Sequence, residues 1–134
     1  MELHLKIIGY LFVVLALMHI AFPRYFKWNA ELGGLSLINR QMMYVHAFFI
    51  ALVVLFIGLL CLTSSTELVN TALGRKISLG LGLFWFTRLI FQLFVYSSKL
   101  WKGKKMETTI HIVFTLLWIY TGATFFAVYL APSL

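Results

Sequence analysis

Long apolar stretches alternate along the chain with short segments that hold most of the charged residues. Each of four stretches is long enough to cross roughly 30 Å of hydrocarbon, and they run from Leu5 to Phe22, Gln41 to Leu62, Ile77 to Ser97 and Glu107 to Leu130. Because backbone groups in lipid need internal hydrogen-bond partners, each stretch is predicted to be a helix. Short connections favour antiparallel neighbours. The pattern therefore predicts an all-α integral membrane protein, an up-down bundle of four transmembrane helices.

Each predicted span is followed by residues that typically end a helix. These are Pro23-Arg24, the segment 63-TSST-66, the basic segment from Lys99 and Pro132. Proline lacks an amide hydrogen, and small polar residues compete for backbone groups, so each is expected to stop its span. No small-x-small cleavage site follows the first span, so we expect a retained anchor rather than a signal peptide.

The connection between the first two spans is not an ordinary polar loop. It reads 22-FPRYFKWNAELGGLSLINR-40 and mixes aromatic rings with arginine and lysine. This mixture is typical of the lipid head-group layer, where amphipathic rings and long cationic side chains are stable. We expect an interfacial segment here, either a short helix or a re-entrant turn, interrupted at Gly33-Gly34.

Composition supports a membrane environment. Of 134 residues, 62% are hydrophobic and 11% are charged, whereas soluble domains have about 25% charged residues. The length suits a single domain over residues 1–134. Cys61 is the only cysteine, which excludes an internal disulfide and a cysteine-based metal site. The net charge of +7 comes from connections between spans, so it favours anionic lipid rather than nucleic acid as the partner.

The basic residues are divided unequally between the two sides of the predicted bundle. Seven lie in the first and third connections: Arg24, Lys27, Arg40, Lys99, Lys102, Lys104 and Lys105. The other side has Lys6, Arg75 and Lys76. Because cytoplasmic loops are enriched in lysine and arginine, we expect both termini outside the cytoplasm, in a bacterial inner membrane.

Each predicted helix contributes one polar residue to a common depth. His19 lies four residues before Pro23, His46 five after Gln41, His111 four after Glu107 and Gln92 five before Ser97. At about 1.5 Å per residue they are ~6–8 Å below the face with the first and third connections. Polar side chains in a bilayer usually face the bundle interior. The sequence therefore predicts a polar layer between the helices.

Arg88 lies one turn deeper than Gln92, near the middle of its span. Insertion of arginine at this depth costs about 2.5–3.5 kcal/mol. The chain contains no aspartate, and its four glutamates lie in loops or near span ends. We expect an anionic ligand, water, backbone carbonyls or a partner subunit to offset this cost. His4, at the opposite end of the first span, is expected to be an interfacial residue.

The histidines of the polar layer suggest a b-type haem. Two neutral imidazoles at one depth, on diagonal helices, are the ligands that such a haem needs, and this arrangement resembles the logic of membrane b-type cytochromes. His46 and His111 would be the axial ligands of a membrane redox protein. His19 and Gln92 would flank the ring, and Arg88 would stabilise a propionate.

Three alternatives stay open, and so does the question of whether the chain is an enzyme. The layer could bind a non-haem zinc, copper or iron ion. It could instead bind a small anionic or lipid-soluble ligand such as a quinone, as in a binding protein, transporter or isomerase using Arg88 and the histidines. It could also join helices in a structural or assembly subunit, with a membrane redox partner or a second copy of the chain as neighbour. The sequence contains no phosphate-binding glycine loop, paired carboxylates or HExxH motif, which argues against ATP hydrolysis, glycosidase chemistry and proteolysis.

Overall fold

The computed structural model describes residues 1–95, 99 and 103–131, and no strand occurs among them. The helices are α1 (Glu2–Tyr25), α2 (Trp28–Glu31), α3 (Leu37–Thr63), α4 (Ser65–Asn70), α5 (Ala72–Ile90), which continues as a π-helix (Phe91–Val95), and α6 (Lys105–Leu130). Four of these segments are long and apolar enough to cross a membrane. The prediction of an all-helical chain with four membrane-length helices is confirmed. Ser97 and Pro132, which entered the predicted ends of spans 3 and 4, and Lys102 of the third connection lie outside the described residues.

The first helix does not end at Pro23. α1 includes this proline and continues to Tyr25, so the predicted stop is wrong by two residues. Pro23 has no amide hydrogen, but later amides still find partners, since the Phe26 amide donates to the Phe22 carbonyl at 2.9 Å. A proline in the last turn therefore removes one hydrogen bond without ending the helix.

Side-chain caps start two helices earlier than the apolar pattern indicates. α3 begins at Leu37, after the Ser36 side chain accepts a hydrogen bond from the Asn39 amide. α5 begins at Ala72, where the Thr71 hydroxyl accepts from the Gly74 amide at 2.9 Å. Serine and threonine at this position satisfy amides that have no partner inside the helix. The polar first turns thus belong to the helices although hydropathy places them outside the spans.

The connection from α1 to α3 contains the short helix α2. Lys27, directly before it, has a left-handed backbone with φ of 54°. The Trp28 ring is buried and packs edge-on against Tyr44 of α3, with centroids 5.3 Å apart. Gly33 and Gly34 lie in the turn beyond the helix, where the sequence predicts an interruption. Packing of Trp28 against α3 fixes this connection to the helix that follows it.

Residues Leu3–Ser65 form one compact unit, in which α1 and α3 are antiparallel and in backbone contact. A Cβ atom added at Gly58 would lie 2.9 Å from the Gly9 carbonyl oxygen and 3.1 Å from Phe12 Cβ. A Cβ atom added at Gly9 would lie 2.6 Å from a side-chain carbon of Leu62. The two glycines therefore allow a closer approach of the helices than any larger residue would.

Residues Thr66–Leu134, together with Met1–Glu2, form a second compact unit. Its main helices, α5 and α6, are also antiparallel, because Gly82 faces Phe126 and Gly122 faces Phe86. At the end of α6, the Arg75 guanidinium donates to the Tyr129 carbonyl at 2.7 Å. Antiparallel packing brings the second half of α5 alongside the first half of α6, where the candidate site lies. The single-domain interpretation of residues 1–134 stays a prediction.

Candidate functional site

Arg88, Gln92 and His111, three of the residues expected in the polar layer, form a hydrogen-bonded chain between α5 and α6. Arg88 Nη1 donates to Gln92 Oε1 at 3.3 Å. Gln92 Nε2 lies 2.9 Å from His111 Nδ1. Arg88 is near the end of α5, Gln92 is one turn later in the π-helix that continues it, and His111 is on the second turn of α6. The chain therefore links the two helices through side chains alone.

The chemistry of arginine sets the direction of this chain. A guanidinium group has donors and no acceptor, so the oxygen of the Gln92 amide has to face Arg88. The Gln92 nitrogen then donates to His111 Nδ1. A neutral imidazole that accepts at Nδ1 carries its hydrogen on Nε2. This assignment from the hydrogen-bond network places a hydrogen on His111 Nε2, so the side chains at both ends of the hydrogen-bonded chain carry N–H groups.

A pair of stacked tryptophans lies beside the arginine. The Arg88 guanidinium carbon is 5.4 Å from the centre of the Trp118 ring. Trp118 stacks on Trp85 with centroids 4.8 Å apart and planes 5° from parallel, and each ring is 4% exposed. A cation near an aromatic face is stabilised by the electron density of the ring. Trp118 therefore offsets part of the cost of placing Arg88 deep in a span.

Gln92 lies in a π-helical segment. The residues Phe91–Val95 form this segment directly after α5, and Gln92 is its buried residue, with 9% of its surface exposed. π-helical turns are rare and are frequent at functional sites, because the additional residue changes which side chains face a neighbour. Apolar periodicity assumes a regular 3.6-residue repeat and does not predict such a turn.

His111, the other end of the hydrogen-bonded chain, lies on α6. His111 is half-buried, and its carbonyl accepts a hydrogen bond from the Thr115 hydroxyl at 2.7 Å. Thr115, Trp118 and His111 are spaced by four and three residues along α6, so they share one face of the helix. This face contacts the side of α5 and of its π-helical continuation that carries Trp85, Arg88 and Gln92.

The remaining predicted residues, His19 and His46, belong to the Leu3–Ser65 unit. His19 Nδ1 lies 2.8 Å from the Leu15 carbonyl of its own helix, and its ring packs on Phe22 at 4.6 Å. A carbonyl only accepts, so His19 Nδ1 carries a hydrogen and donates it. His46 lies in α3 and is exposed. Neither histidine is part of the chain that Arg88, Gln92 and His111 form.

The described residues provide no cluster of three or more histidine, cysteine, aspartate or glutamate side chains that could hold a metal ion. The non-haem metal prediction, which requires several such ligands, therefore gains no support. The haem prediction requires only two histidines and stays a prediction.

Sequence reasoning missed two features of the site. It did not anticipate that Trp85 and Trp118 stack on each other next to Arg88. It also did not identify Thr121, whose buried hydroxyl has no hydrogen-bond partner among the described residues. An arginine deep in a span, with a tryptophan on the facing helix, was the signal for the first feature.

No protein-family model matches the chain, and neither a curated protein nor a solved structure is significantly similar to it.

Proposed function

We propose that this chain is an integral membrane protein that binds a small, anionic, lipid-soluble ligand between α5 and α6. Arg88 and His111 are the binding residues, and Gln92 holds them in place. The observation that carries the proposal is the directed chain from Arg88 through Gln92 to His111. Its ends carry a fixed positive charge and N–H donors, which complement carboxylate, phosphate or quinone oxygens.

The position of the hydrogen-bonded residues Arg88, Gln92 and His111 supports a lipid-soluble ligand. Arg88, Gln92 and His111 all lie within helices of membrane length. A charged arginine at this depth is stabilised further by an anion, since attraction between charges is stronger where water is scarce. Whether binding serves transport, isomerisation or storage depends on the ligand. The proposal therefore concerns recognition and leaves catalysis open.

The proposed arrangement and orientation in the membrane follow from the charge and composition of the sequence. We place the four long helices in an up-down bundle, with the connection 22–40 in the head-group layer and both termini outside the cytoplasm of a bacterial inner membrane. The cation excess of the first and third connections supports this orientation. The aromatic and cationic residues around α2 support the interfacial position.

Binding of tridecanoate tests the proposal. The full chain is placed in nanodiscs of zwitterionic lipid, and binding is measured by calorimetry against protein-free discs. Arg88→Gln is expected to weaken binding at least tenfold, because the fixed charge is lost, and Arg88→Lys less, because the charge is kept without its planar fork. Lys76→Gln, which removes an exposed cation elsewhere on α5, is the matched control. Equal affinities of wild type and Arg88→Gln would overturn the proposal.

A b-type haem held by His46 and His111 is the second candidate, with His19, Gln92 and Arg88 around it. A ring fixed through Nδ1, as in His111, leaves Nε2 as the atom that would bind iron. Iron binding needs an unprotonated Nε2, so the Gln92 oxygen would have to turn towards His111 and lose Arg88. Haem ligation and the Arg88–Gln92 hydrogen bond are therefore mutually exclusive.

Absorbance spectra separate the two candidates. The protein is purified from haem-supplied cells and measured oxidised and then dithionite-reduced. Bis-imidazole haem would give a Soret band with sharp reduced α and β bands, lost in His46→Ala and His111→Ala but kept in His4→Ala. Gln92→Glu would strengthen haem retention, because a carboxylate accepts from both Arg88 and His111. A colourless wild type with Arg88-dependent tridecanoate binding is the result that the anionic-ligand proposal expects.

A further inference from the structure

Two buried donors on α6 lack hydrogen-bond partners among the described residues. They are Trp118 Nε1 and Thr121 Oγ1, and their residues are 4% and 0% exposed. Most buried polar groups in proteins are hydrogen-bonded, and leaving one unpaired costs about 1–3 kcal/mol. Two such groups one turn apart in a membrane-length helix call for an acceptor.

The hydroxyl of Thr121 differs in its hydrogen bonding from the hydroxyls of several other threonines in this protein. A threonine in a helix can satisfy its hydroxyl by donating to the carbonyl four residues earlier. Among the described residues, four helical threonines and the capping residue Thr71 have such a bond of 2.6–2.8 Å, the helical ones being Thr63, Thr87, Thr109 and Thr115. Thr121 does not, although it lies in the same helix as Thr115. Its hydroxyl is therefore available to another acceptor.

These donors lie beside the proposed anion site. Trp118 and Thr121 are three residues apart, which places them on the same face of α6, with Cα positions separated by roughly 4.5 Å along the axis. Arg88 contacts the Trp118 ring, with its guanidinium carbon 5.4 Å from the centroid. The ring that carries one neutral donor therefore lies beside the charged donor, and Thr121 follows one turn later on the same face of α6.

We infer that Trp118 Nε1 and Thr121 Oγ1 form a neutral subsite for an acceptor oxygen within the tail of the ligand. The inference rests on the proposed function, since Arg88 and His111 bind the anionic head. It narrows the ligand class to fatty-acid-like anions that carry a second, uncharged carbonyl or ether oxygen three or four bonds from the head. A plain fatty acid would leave both donors without an acceptor.

Two probes that differ by one oxygen atom test the subsite. Tridecanoate has a carboxylate head alone, whereas 4-oxotridecanoate has in addition a ketone a few ångströms along the same chain. Both are titrated into the full chain in zwitterionic nanodiscs. Wild type is expected to bind the keto acid about three- to tenfold more tightly, the effect of one or two neutral hydrogen bonds.

The variants identify the donors responsible. Thr121→Val keeps the side-chain shape without the hydroxyl, and Trp118→Phe removes the indole N–H but keeps an aromatic ring. Both variants are expected to reduce the preference for the keto acid, and Thr121→Val is expected to leave tridecanoate affinity unchanged. Thr87→Val is the matched control, because the Thr87 hydroxyl is already bonded to the Leu83 carbonyl. If Trp118→Phe fails to fold, Thr121→Val decides the question alone.

The outcomes separate the subsite from the proposed function. Tridecanoate binding that depends on Arg88, with no preference for the keto acid, overturns the subsite alone and is the result expected if water satisfies both donors. A keto preference that depends on Thr121 but not on Arg88 supports the subsite and overturns the role of Arg88 in head binding. Failure of both probes to bind wild type overturns both.

Discussion

Gly58 and Gly80 provide a matched test of how closely α1 and α3 pack. Both lie inside long helices, and both are changed to alanine. A Cβ atom at Gly58 would lie 2.9 Å from the Gly9 carbonyl oxygen and 3.2 Å from the Val13 amide nitrogen, whereas a Cβ atom at Gly80 would have no neighbour within 4 Å. The two variants therefore share the same chemical change and differ only in the space available.

The expected magnitudes follow from these distances. Alanine is favoured over glycine inside a helix by about 0.5–1 kcal/mol, so Gly80→Ala is expected to stabilise the protein by that amount. Gly58→Ala gains the same helix-forming free energy. Its added Cβ atom, however, clashes with backbone atoms that no side-chain rotation can move. Overpacking of this kind costs about 1–3 kcal/mol. The difference in free energy of unfolding between the two variants isolates this cost, since the gain from replacing glycine by alanine in a helix is common to both.

Unfolding in mixed detergent micelles measures the difference. Each variant is titrated with sodium dodecyl sulfate, and helix content is followed by far-ultraviolet circular dichroism. Gly58→Ala is expected to have a free energy of unfolding about 1–3 kcal/mol below that of Gly80→Ala. If Gly58→Ala is as stable as Gly80→Ala, the backbone contact between α1 and α3 is refuted.

Two further predictions concern the ends of α5 and α6, and the same unfolding assay measures both. Thr71→Ala removes the cap on the Gly74 amide and is expected to destabilise the protein by about 1 kcal/mol; an unchanged midpoint would show that the cap does not contribute. Arg75→Met removes the hydrogen bond to the Tyr129 carbonyl and is expected to cost about 1.5–3 kcal/mol. Lys76→Met, an exposed position, should change stability little, and an equal loss in both variants would contradict the role of Arg75.

The long helices could be predicted because hydropathy is summed over some twenty residues and tolerates local exceptions. Their ends depend on single residues instead. Ser36 and Thr71 extend α3 and α5 by capping amides, a contribution that hydropathy does not include. Pro23 was expected to end α1, but only one hydrogen bond depends on its missing amide, and the helix continues to Tyr25. Hydropathy therefore locates the spans better than it locates their boundaries.

The candidate site could likewise be predicted from the sequence only in part. Sequence spacing placed Arg88 one turn from Gln92, and equal depth placed Gln92 at the level of His111. The structure joins these three residues. Spacing contains no information about which ring stacks on which, so the Trp85–Trp118 pair could not be derived. The direction of the hydrogen bonds also required the atoms themselves, because it depends on which atom of the Gln92 amide faces Arg88.

The π-helix at Phe91–Val95 has a consequence for how the gene could change. A π turn holds one residue more than an α turn over the same hydrogen-bonded span. Deleting one of these five codons would allow a regular α-helix and would rotate every later residue of the segment by roughly 100° about the axis. If Phe91 were deleted, Gln92 would become the third residue after Arg88 instead of the fourth and would turn by roughly 100° about the axis relative to it, although no residue of the site had been substituted. The orientation of this site is therefore encoded by chain length as well as by residue identity.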